Sequence, residues 1–275
     1  MIQLCTQPGS ASRPNEDWCS ATKGADSAVA VVLDGVTTPG DTGCHHGTPW
    51  YVQQLGTELI RHTADHARTL TQSLADSIAA VTALHASSCD ISHRGTPAAA
   101  VAIARVHQHH VEYLVLADTT IAVLDNDGRL THAVDPRVDD VTARDAADAL
   151  HWPIGSAEHR DAVRRMSRNQ QLQRNRHGGY WVAAADPEAA DEAITGCSKN
   201  PRRLALLTDG AARAVDVFDQ YSWREALDIL HTSGPSELIT QVRSAEQTDP
   251  HGLRWPRFKT SDDAAVAYLD IGFPV

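Results

Sequence analysis

A run of small and β-branched residues at positions 28–33 ends abruptly on Asp34 and Gly35, and this feature constrains the fold more than any other. Such a run is typical of a strand that is buried on both faces. An ionised carboxylate at the end of a buried strand is costly unless a cation compensates its charge, and Gly35 lets the backbone turn and leaves its carbonyl open. The pattern favours a metal ion held by Asp34, whereas an isolated Asp-Gly pair is more often an ordinary turn.

Acidic residues flank predicted strands at three further places. They are Glu16-Asp17 before the first apolar run, Asp209-Gly210 after the run at 204–208, and Asp262-Asp263 before the run at 264–269. Neighbouring strands of one sheet lie about 5 Å apart, so carboxylates at their ends can meet around one ion. Oxygen ligands of this kind suit hard cations such as Mg²⁺ and Mn²⁺. Unrelated surface turns explain any one of these pairs well, but they explain the complete set poorly.

The remaining pattern predicts a mixed α and β protein. Helices are predicted at about 49–62, 71–85, 223–231 and 236–247, and hairpin strands at 98–106, 111–117, 121–124 and 129–134. Residues 1–20 are predicted to be irregular, and residues 135–178 are predicted to form helices and loops outside the core. Since no linker or change of composition divides the chain, we expect one domain over residues 1–275.

Composition narrows the partners and the compartment. The formal net charge of −11 makes nucleic acid and anionic membranes unlikely partners. The five cysteines are scattered, odd in number and without a C-x-x-C pair, which indicates reduced thiols in the cytoplasm. No secretory pattern or membrane-spanning apolar run is present in the sequence.

His107, His109 and His110 lie in a predicted hairpin turn without cysteine partners, so a zinc site is not expected there. The oligomeric state stays open.

The ordered motifs resemble the metal-dependent serine/threonine phosphatases of the PPM type, also called protein phosphatase 2C. The matching segments, in the family's order, are N-E-D-W at 15–18, V-V-L-D-G at 31–35, G-T-P-A-A-A-V-A at 95–102, Y-L-V-L-A-D-T at 113–119, L-A-L-L-T-D-G at 204–210 and S-D-D-A-A-V-A at 261–267. This resemblance implies an α+β fold, a four-layer α/β/β/α sandwich of two antiparallel sheets flanked by helices. It also implies that residues 135–178 form a variable, flap-like segment beside the site.

The resemblance further implies a site for two Mn²⁺ or Mg²⁺ ions. Asp34 would bridge both ions, the Gly35 carbonyl would bind one, and Asp209 and Asp262 would bind the other. Asp118 would belong to a third, weaker metal site. Glu16 and Asp17 would hold metal-bound waters, and a hydroxide bridging the two metals would attack phosphorus in line.

Two further residues are candidates for binding and protonating the substrate. Arg13 is the candidate that grips the phosphate, because a guanidinium can bind two phosphate oxygens at once. His46, or His45 beside it, is the candidate general acid, because an imidazole titrates near neutral pH.

The function implied is the hydrolysis of phosphomonoesters, with a phosphorylated serine or threonine of a protein or peptide as substrate. One alternative is the same chemistry on a small phosphorylated metabolite, with residues 135–178 shaping the entrance. The other is a catalytically silent, phosphatase-like module that binds or regulates. Retention of all the principal carboxylates argues against this last alternative.

Overall fold

Two five-stranded antiparallel sheets form the centre of the fold in the computed structural model, which describes residues 1–24, 27–38 and 40–272. One sheet has the order β1 (Ile2–Gln7), β10 (Ala264–Asp270), β9 (Pro201–Leu207), β6 (Thr120–Asp125) and β7 (Leu130–Ala133). The other has the order β2 (Trp18–Lys23), β3 (Ser27–Gly35), β4 (Ala99–His107), β5 (His110–Leu116) and β8 (Ile194–Lys199). Residues 25–26, 39 and 273–275 of the predicted single domain lie outside the described residues.

Helices cover the outer face of each sheet. Those on the β3 side are α1 (Gly47–Thr63) and α2 (Leu70–His85), and those on the β9 side are α5 (Asp209–Asp216), α6 (Trp223–Thr232) and α7 (Pro235–Thr248). The remaining helices are α3 (Arg137–Leu150), α4 (Ala157–Gln173) and a 3₁₀ helix at Pro187–Glu192. The predicted four-layer α/β/β/α sandwich is therefore confirmed.

Strand β3 is buried on both faces, as its composition predicts. Its Ala30 and Val32 pack against the opposite sheet, where they share a core with Ala265 and other residues of β9 and β10. The alternate residues, such as Val31, pack against helices α1 and α2. Because side chains alternate in direction along a strand, one apolar run supplies both layers. The acidic end of β3 therefore emerges where the sheet–sheet core stops.

Helices α1 and α2 fix the layer that lies beside the Asp34 end of β3. Helix α1 buries Tyr51, whose hydroxyl donates to the Ala184 carbonyl oxygen over 2.8 Å. Helix α2 begins at a capping box, in which Thr69 and Gln72 satisfy each other's backbone N–H groups. Among the described residues, no helix is both long and apolar enough to cross a membrane.

The sequence prediction was wrong for residues 1–20, where the structure has strands β1 and β2. Strand β1 pairs with β10 and strand β2 pairs with β3, each at an edge of its sheet. Neither strand has a buried apolar run, since β1 has no fully buried residue and its exposure alternates. Pairing with a buried neighbour outweighs the weak local signal. The helices predicted within residues 135–178 are confirmed as α3 and α4.

Candidate metal centre

The acidic residues predicted from the strand ends meet at one end of the two packed sheets. Asp34 is the second-last residue of β3, Asp209 opens helix α5 directly after β9, and Asp262 lies just before β10. The carboxyl groups of Asp34 and Asp209 lie within hydrogen-bonding reach of each other, although their strands belong to different sheets. Asp17, which directly precedes β2, faces the same group.

Burial and mutual repulsion raise the pKa values of these carboxyl groups. Burial raises the pKa of Asp34 well above its usual value, and the charges of Asp17 and Asp209 raise it further. The pKa of Asp17 is also raised well above its usual value, first by burial, although a hydrogen bond with Thr208 partly offsets this effect. Burial and the charge of Asp262 raise the pKa of Asp209. Such a cluster is unstable as anions without added positive charge.

The donor set fits divalent cations. The Oδ2 atom of Asp17 is buried, and among the described residues it has no hydrogen-bond partner. The surrounding ligand atoms are carboxylate oxygens, which Mg²⁺ and Mn²⁺ prefer. An unpartnered oxygen within a cluster of carboxylates is the arrangement that a hard cation would complete.

Asp118 joins this cluster from the turn between β5 and β6. Burial and the charge of Asp209 raise the pKa of Asp118 to about 7. The preceding residue, Ala117, has a φ of 64°, a left-handed conformation that costs a non-glycine residue about 1 kcal/mol. Its N–H donates to the buried carboxylate of Asp135 over 3.3 Å. The turn is thus held in a strained form that keeps Asp118 near Asp209.

Close backbone approaches at two glycines bring the acidic segments together. A Cβ atom on Gly35 would lie 2.5 Å from the carbonyl oxygen of Glu16, and one on Gly210 would lie 1.9 Å from the carbonyl oxygen of Asp263. Both Asp263 carboxylate oxygens accept backbone N–H groups, from Gly9 at 2.8 Å and from Glu16 at 2.7 Å. Asp263 therefore anchors the loop that carries Glu16 and Asp17.

Positive groups that the sequence analysis missed surround Asp262. Arg213 donates to Asp262 Oδ2 over 3.0 Å and to the buried Glu246 Oε1 over 2.8 Å. Lys259 Nζ donates to Asp262 Oδ1 over 2.8 Å. Arg213 lies one helical turn after Asp209 on α5. This i,i+4 spacing was the sequence signal that could have placed Arg213 near the carboxylates. These contacts fix the orientation of the Asp262 carboxylate.

Helix α3 adds a further acidic group that the sequence analysis did not single out. Burial raises the pKa of Asp139, in the first turn of α3, and the charge of Asp209 raises it further. Its neighbour Val138 packs in one cluster with Ala100, the strand partner of Asp34. Helix α3, the first helix within residues 135–178, therefore begins beside the carboxylates. An acidic first turn was the only sequence signal of this placement.

Comparison with known families identifies the fold and agrees with the motifs. The family model of protein phosphatase 2C matches residues 9–242. The chain belongs to the protein phosphatase 2C family. The family resemblance drawn from the ordered motifs is therefore confirmed. No curated protein sequence matches the chain significantly.

Solved structures of serine/threonine phosphatases share this architecture. The serine/threonine phosphatase PstP/Ppp of Mycobacterium tuberculosis aligns with a TM-score of 0.60 at 15% identity, covering 99% of each chain. The serine-threonine phosphatase 2C of Toxoplasma gondii aligns with a TM-score of 0.55 at 16% identity, covering 97% of this chain and 93% of its own. A PstP catalytic domain in complex with two manganese ions aligns with a TM-score of 0.55 at 14% identity, covering 98% and 97%. At these sequence identities, the structural similarity establishes the shared fold.

Two predicted site residues lie apart from the carboxylates of this protein phosphatase 2C member. Arg13 is exposed in the loop between β1 and β2. His46 caps helix α1, and its ring stacks on Trp50 with 4.2 Å between the ring centroids. Among the described residues, no hydrogen bond or ion pair joins either side chain to Asp34 or Asp209. The structure thus brings together the predicted carboxylates but leaves Arg13 and His46 outside their contacts.

Binding of Mn²⁺ is expected to release more protons at about pH 6 than at about pH 8. Because the pKa of Asp118 in the metal-free protein is about 7, this group is mostly protonated at the lower pH and mostly ionised at the higher one. Titration calorimetry in buffers of different ionisation enthalpy measures the difference. Asp118→Asn should release fewer protons at about pH 6, whereas buffer-independent heats in the wild type at that pH would contradict this prediction.

Proposed function

We propose that this protein phosphatase 2C member hydrolyses phosphomonoesters with two bound Mn²⁺ or Mg²⁺ ions. One observation carries the proposal: the carboxyl groups of Asp34 and Asp209, from opposite sheets, lie within hydrogen-bonding reach of each other. Two half-buried acids that lie this close to each other need positive charge between or beside them. An acidic protein that binds an anionic phosphate also needs a local positive field, which divalent cations provide.

The chain offers ligands for both ions at this position. We propose Asp34, the Gly35 carbonyl, Asp209 and Asp262 as ligands of the pair, and Asp118 as the ligand of a weaker third ion. When bound, two divalent cations supply a water of lowered pKa and positive charge beside the phosphoryl oxygens. Arg213 and Lys259 keep the Asp262 carboxylate oriented, so that its oxygens are positioned before the cations bind.

Residues of the loop between β1 and β2 would bind the phosphate of the substrate and the water beside the cations. Its carboxylates, Glu16 and Asp17, would hold water beside the cations. Arg13 would grip the phosphate from the same loop, which Asp263 anchors through the backbone of Gly9 and Glu16. The sequence-based role of His46 as general acid is not part of this proposal, because its ring contacts other groups.

Phosphoserine or phosphothreonine in proteins is the proposed substrate. The aligned PstP/Ppp is a serine/threonine phosphatase, and this chain shares its fold. Helix α3 approaches the carboxylates through Asp139 and would form part of the entrance. A small phosphorylated metabolite is the second candidate, because a helix close to the site can narrow the entrance to exclude a peptide.

The first experiment measures hydrolysis of para-nitrophenyl phosphate with Mn²⁺, with Mg²⁺ and with excess chelator. We expect turnover with either cation and none with the chelator, because the carboxylates alone repel an anionic substrate. Initial rates on phosphoserine peptides and on a panel of phosphorylated metabolites then decide between the two substrate classes. Tight binding of a phosphopeptide without turnover at saturating Mn²⁺ would contradict the hydrolytic proposal and favour a silent binding module.

Two further proposals concern the domain organisation and the cellular compartment. We propose that the chain forms one phosphatase domain, because residues of both sheets, such as Val32 and Ala267, share one buried core. We also propose that it works in the reducing cytoplasm, because all five cysteines are free thiols. We propose neither nucleic acid nor a membrane as a partner, given the net charge of −11.

A further inference from the structure

Four side chains that play no part in the proposed hydrolysis form a compact cysteine–histidine group. They are Cys44, His46, His85 and Cys89, and one ligand atom from each lies within 4.8 Å of all the others. Cys44 and His46 precede helix α1, His85 is the last residue of α2, and Cys89 follows four residues later. Two segments distant in sequence thus contribute one cysteine and one histidine each.

The distances place two sulfur and two nitrogen atoms around one point. The sulfur atoms of Cys44 and Cys89 are 2.9 Å apart. The Nδ1 atom of His46 lies 3.5 Å from Cys44 Sγ and 3.4 Å from Cys89 Sγ, and the Nδ1 atom of His85 lies 3.5 Å from Cys44 Sγ. The sulfur atoms are farther apart than in a disulfide bond, which measures about 2.05 Å, and both cysteines are free thiols.

The surroundings of His85 point to a ligand. Its side chain is only 1% exposed, its Nε2 atom has no hydrogen-bond partner among the described residues, and its Nδ1 atom faces only sulfur. Buried imidazoles normally satisfy their ring nitrogens with oxygen or nitrogen partners. Trp50 closes the group on one side, with its ring centroid 4.2 Å from that of His46 and 5.3 Å from that of His85. A metal ion bound at Nδ1 would replace this weak sulfur contact of the buried imidazole with a strong bond.

The thiol chemistry agrees with metal binding. The thiolate is the form of cysteine that binds metals. Two thiolates and two imidazoles make the tetrahedral donor set typical of Zn²⁺, whereas Mg²⁺ and Mn²⁺ prefer oxygen. The group is therefore chemically distinct from the carboxylate centre.

We propose that Cys44, His46, His85 and Cys89 bind one structural Zn²⁺ ion. Because protein side chains fill all four positions, no site is left for substrate, and the ion holds the structure together. It joins the loop that leaves Gly35 to the segment that leads into β4, where the Asp90 N–H already donates to the Gly43 carbonyl oxygen over 2.8 Å. The zinc thus fixes Cys44 and His46, in the segment that follows Asp34 and Gly35, two of the proposed ligands of the carboxylate centre. It also commits His46 to a ligand role rather than to proton transfer.

The test measures the zinc content of the full chain, purified under reducing conditions without chelator and dialysed against metal-free buffer. We expect about one equivalent of tightly held zinc in the wild type and a loss of nearly all of it in Cys89→Ser. Two matched controls should keep the zinc: Cys197→Ser, which removes an exposed cysteine on β8, and His45→Asn, which removes the histidine beside the group.

A second measurement reads the metal site in the wild type, so that a folding defect in a cysteine or histidine variant cannot decide the outcome. Replacement of zinc by Co²⁺ should produce the thiolate-to-cobalt charge-transfer bands and the intense visible bands of a tetrahedral site. Asp34→Asn should keep these bands, which separates this proposal from the proposed hydrolysis. A wild type that holds no zinc and shows no such bands would overturn the proposal. A Cys44–Cys89 disulfide in protein freshly purified under reducing conditions would overturn it as well.

Discussion

Asp34→Asn is expected to lower the rate of phosphomonoester hydrolysis by on the order of a thousandfold or more at saturating Mn²⁺. The substitution replaces a carboxylate by a neutral amide of the same shape at the position that the proposal assigns to both cations. It removes the carboxylate that faces Asp209 across the two sheets. Initial rates on para-nitrophenyl phosphate over a range of Mn²⁺ concentrations measure the effect. The loss should persist at every Mn²⁺ concentration.

Stability measurements distinguish this loss from misfolding. Without metal, Asp34→Asn should be at least as stable as the wild type, because it removes one of several buried, mutually repelling acids. With metal, the wild type should be stabilised by about 2.7 kcal/mol for each site at a Mn²⁺ concentration of about 100 times Kd, and the variant should lose most of this gain. Asp127→Asn, in the exposed turn between β6 and β7, is the matched control and should behave like the wild type. Full activity in Asp34→Asn would contradict the site assignment.

Arg213→Ala is expected to destabilise the protein by about 3–5 kcal/mol, because it breaks a buried ion pair. The Arg213 side chain is 7% exposed and its partner Glu246 is 1% exposed, with 2.8 Å between Arg213 Nη1 and Glu246 Oε1. Arg243 still donates to the other Glu246 oxygen over 2.9 Å, so we expect the lower end of that range. Removal of Arg213 also removes a contact that orients the Asp262 carboxylate. Because the oxygens of Asp262 are then no longer held in position for the cation, the affinity for Mn²⁺ should fall as well.

Urea unfolding in the presence of chelator measures the stability change, and calorimetry under folding conditions measures the metal affinity. Arg61→Ala breaks the exposed pair with Glu58 on α1 and serves as the matched control. Exposed pairs contribute less than about 1 kcal/mol, so this control should change neither quantity appreciably. A change in Arg213→Ala as small as that in Arg61→Ala would show that the buried network does not support Asp262.

The positions of Asp34, Asp209 and Asp262 could be predicted from the sequence because each lies beside an apolar run that marks a buried strand. Asp34 and Asp209 were found in this way, and the order of the motifs gave the family. Strands β1 and β2 were missed, because edge strands with polar residues have no strong periodic signal. The support of Asp262 was also missed, because Arg213 and Glu246 are 33 residues apart and meet only through the packing of α5 on α7.

The cysteine–histidine group was hidden for a similar reason. Its signals are C-x-H at 44–46 and H-x-x-x-C at 85–89, and each is too short to be informative alone. The two halves are separated by helices α1 and α2, and the fold brings the end of α2 back to the start of α1. Only a structure could show that these four side chains surround one point.

The most direct test of the carboxylate centre is a crystal structure of the Mn²⁺-soaked protein, measured for anomalous scattering from manganese. Our account predicts two adjacent anomalous peaks, with Asp34 bound to both and Asp209 and Asp262 bound to one of them. Peaks located only elsewhere, or no peak between Asp34 and Asp209 at millimolar Mn²⁺, would contradict it.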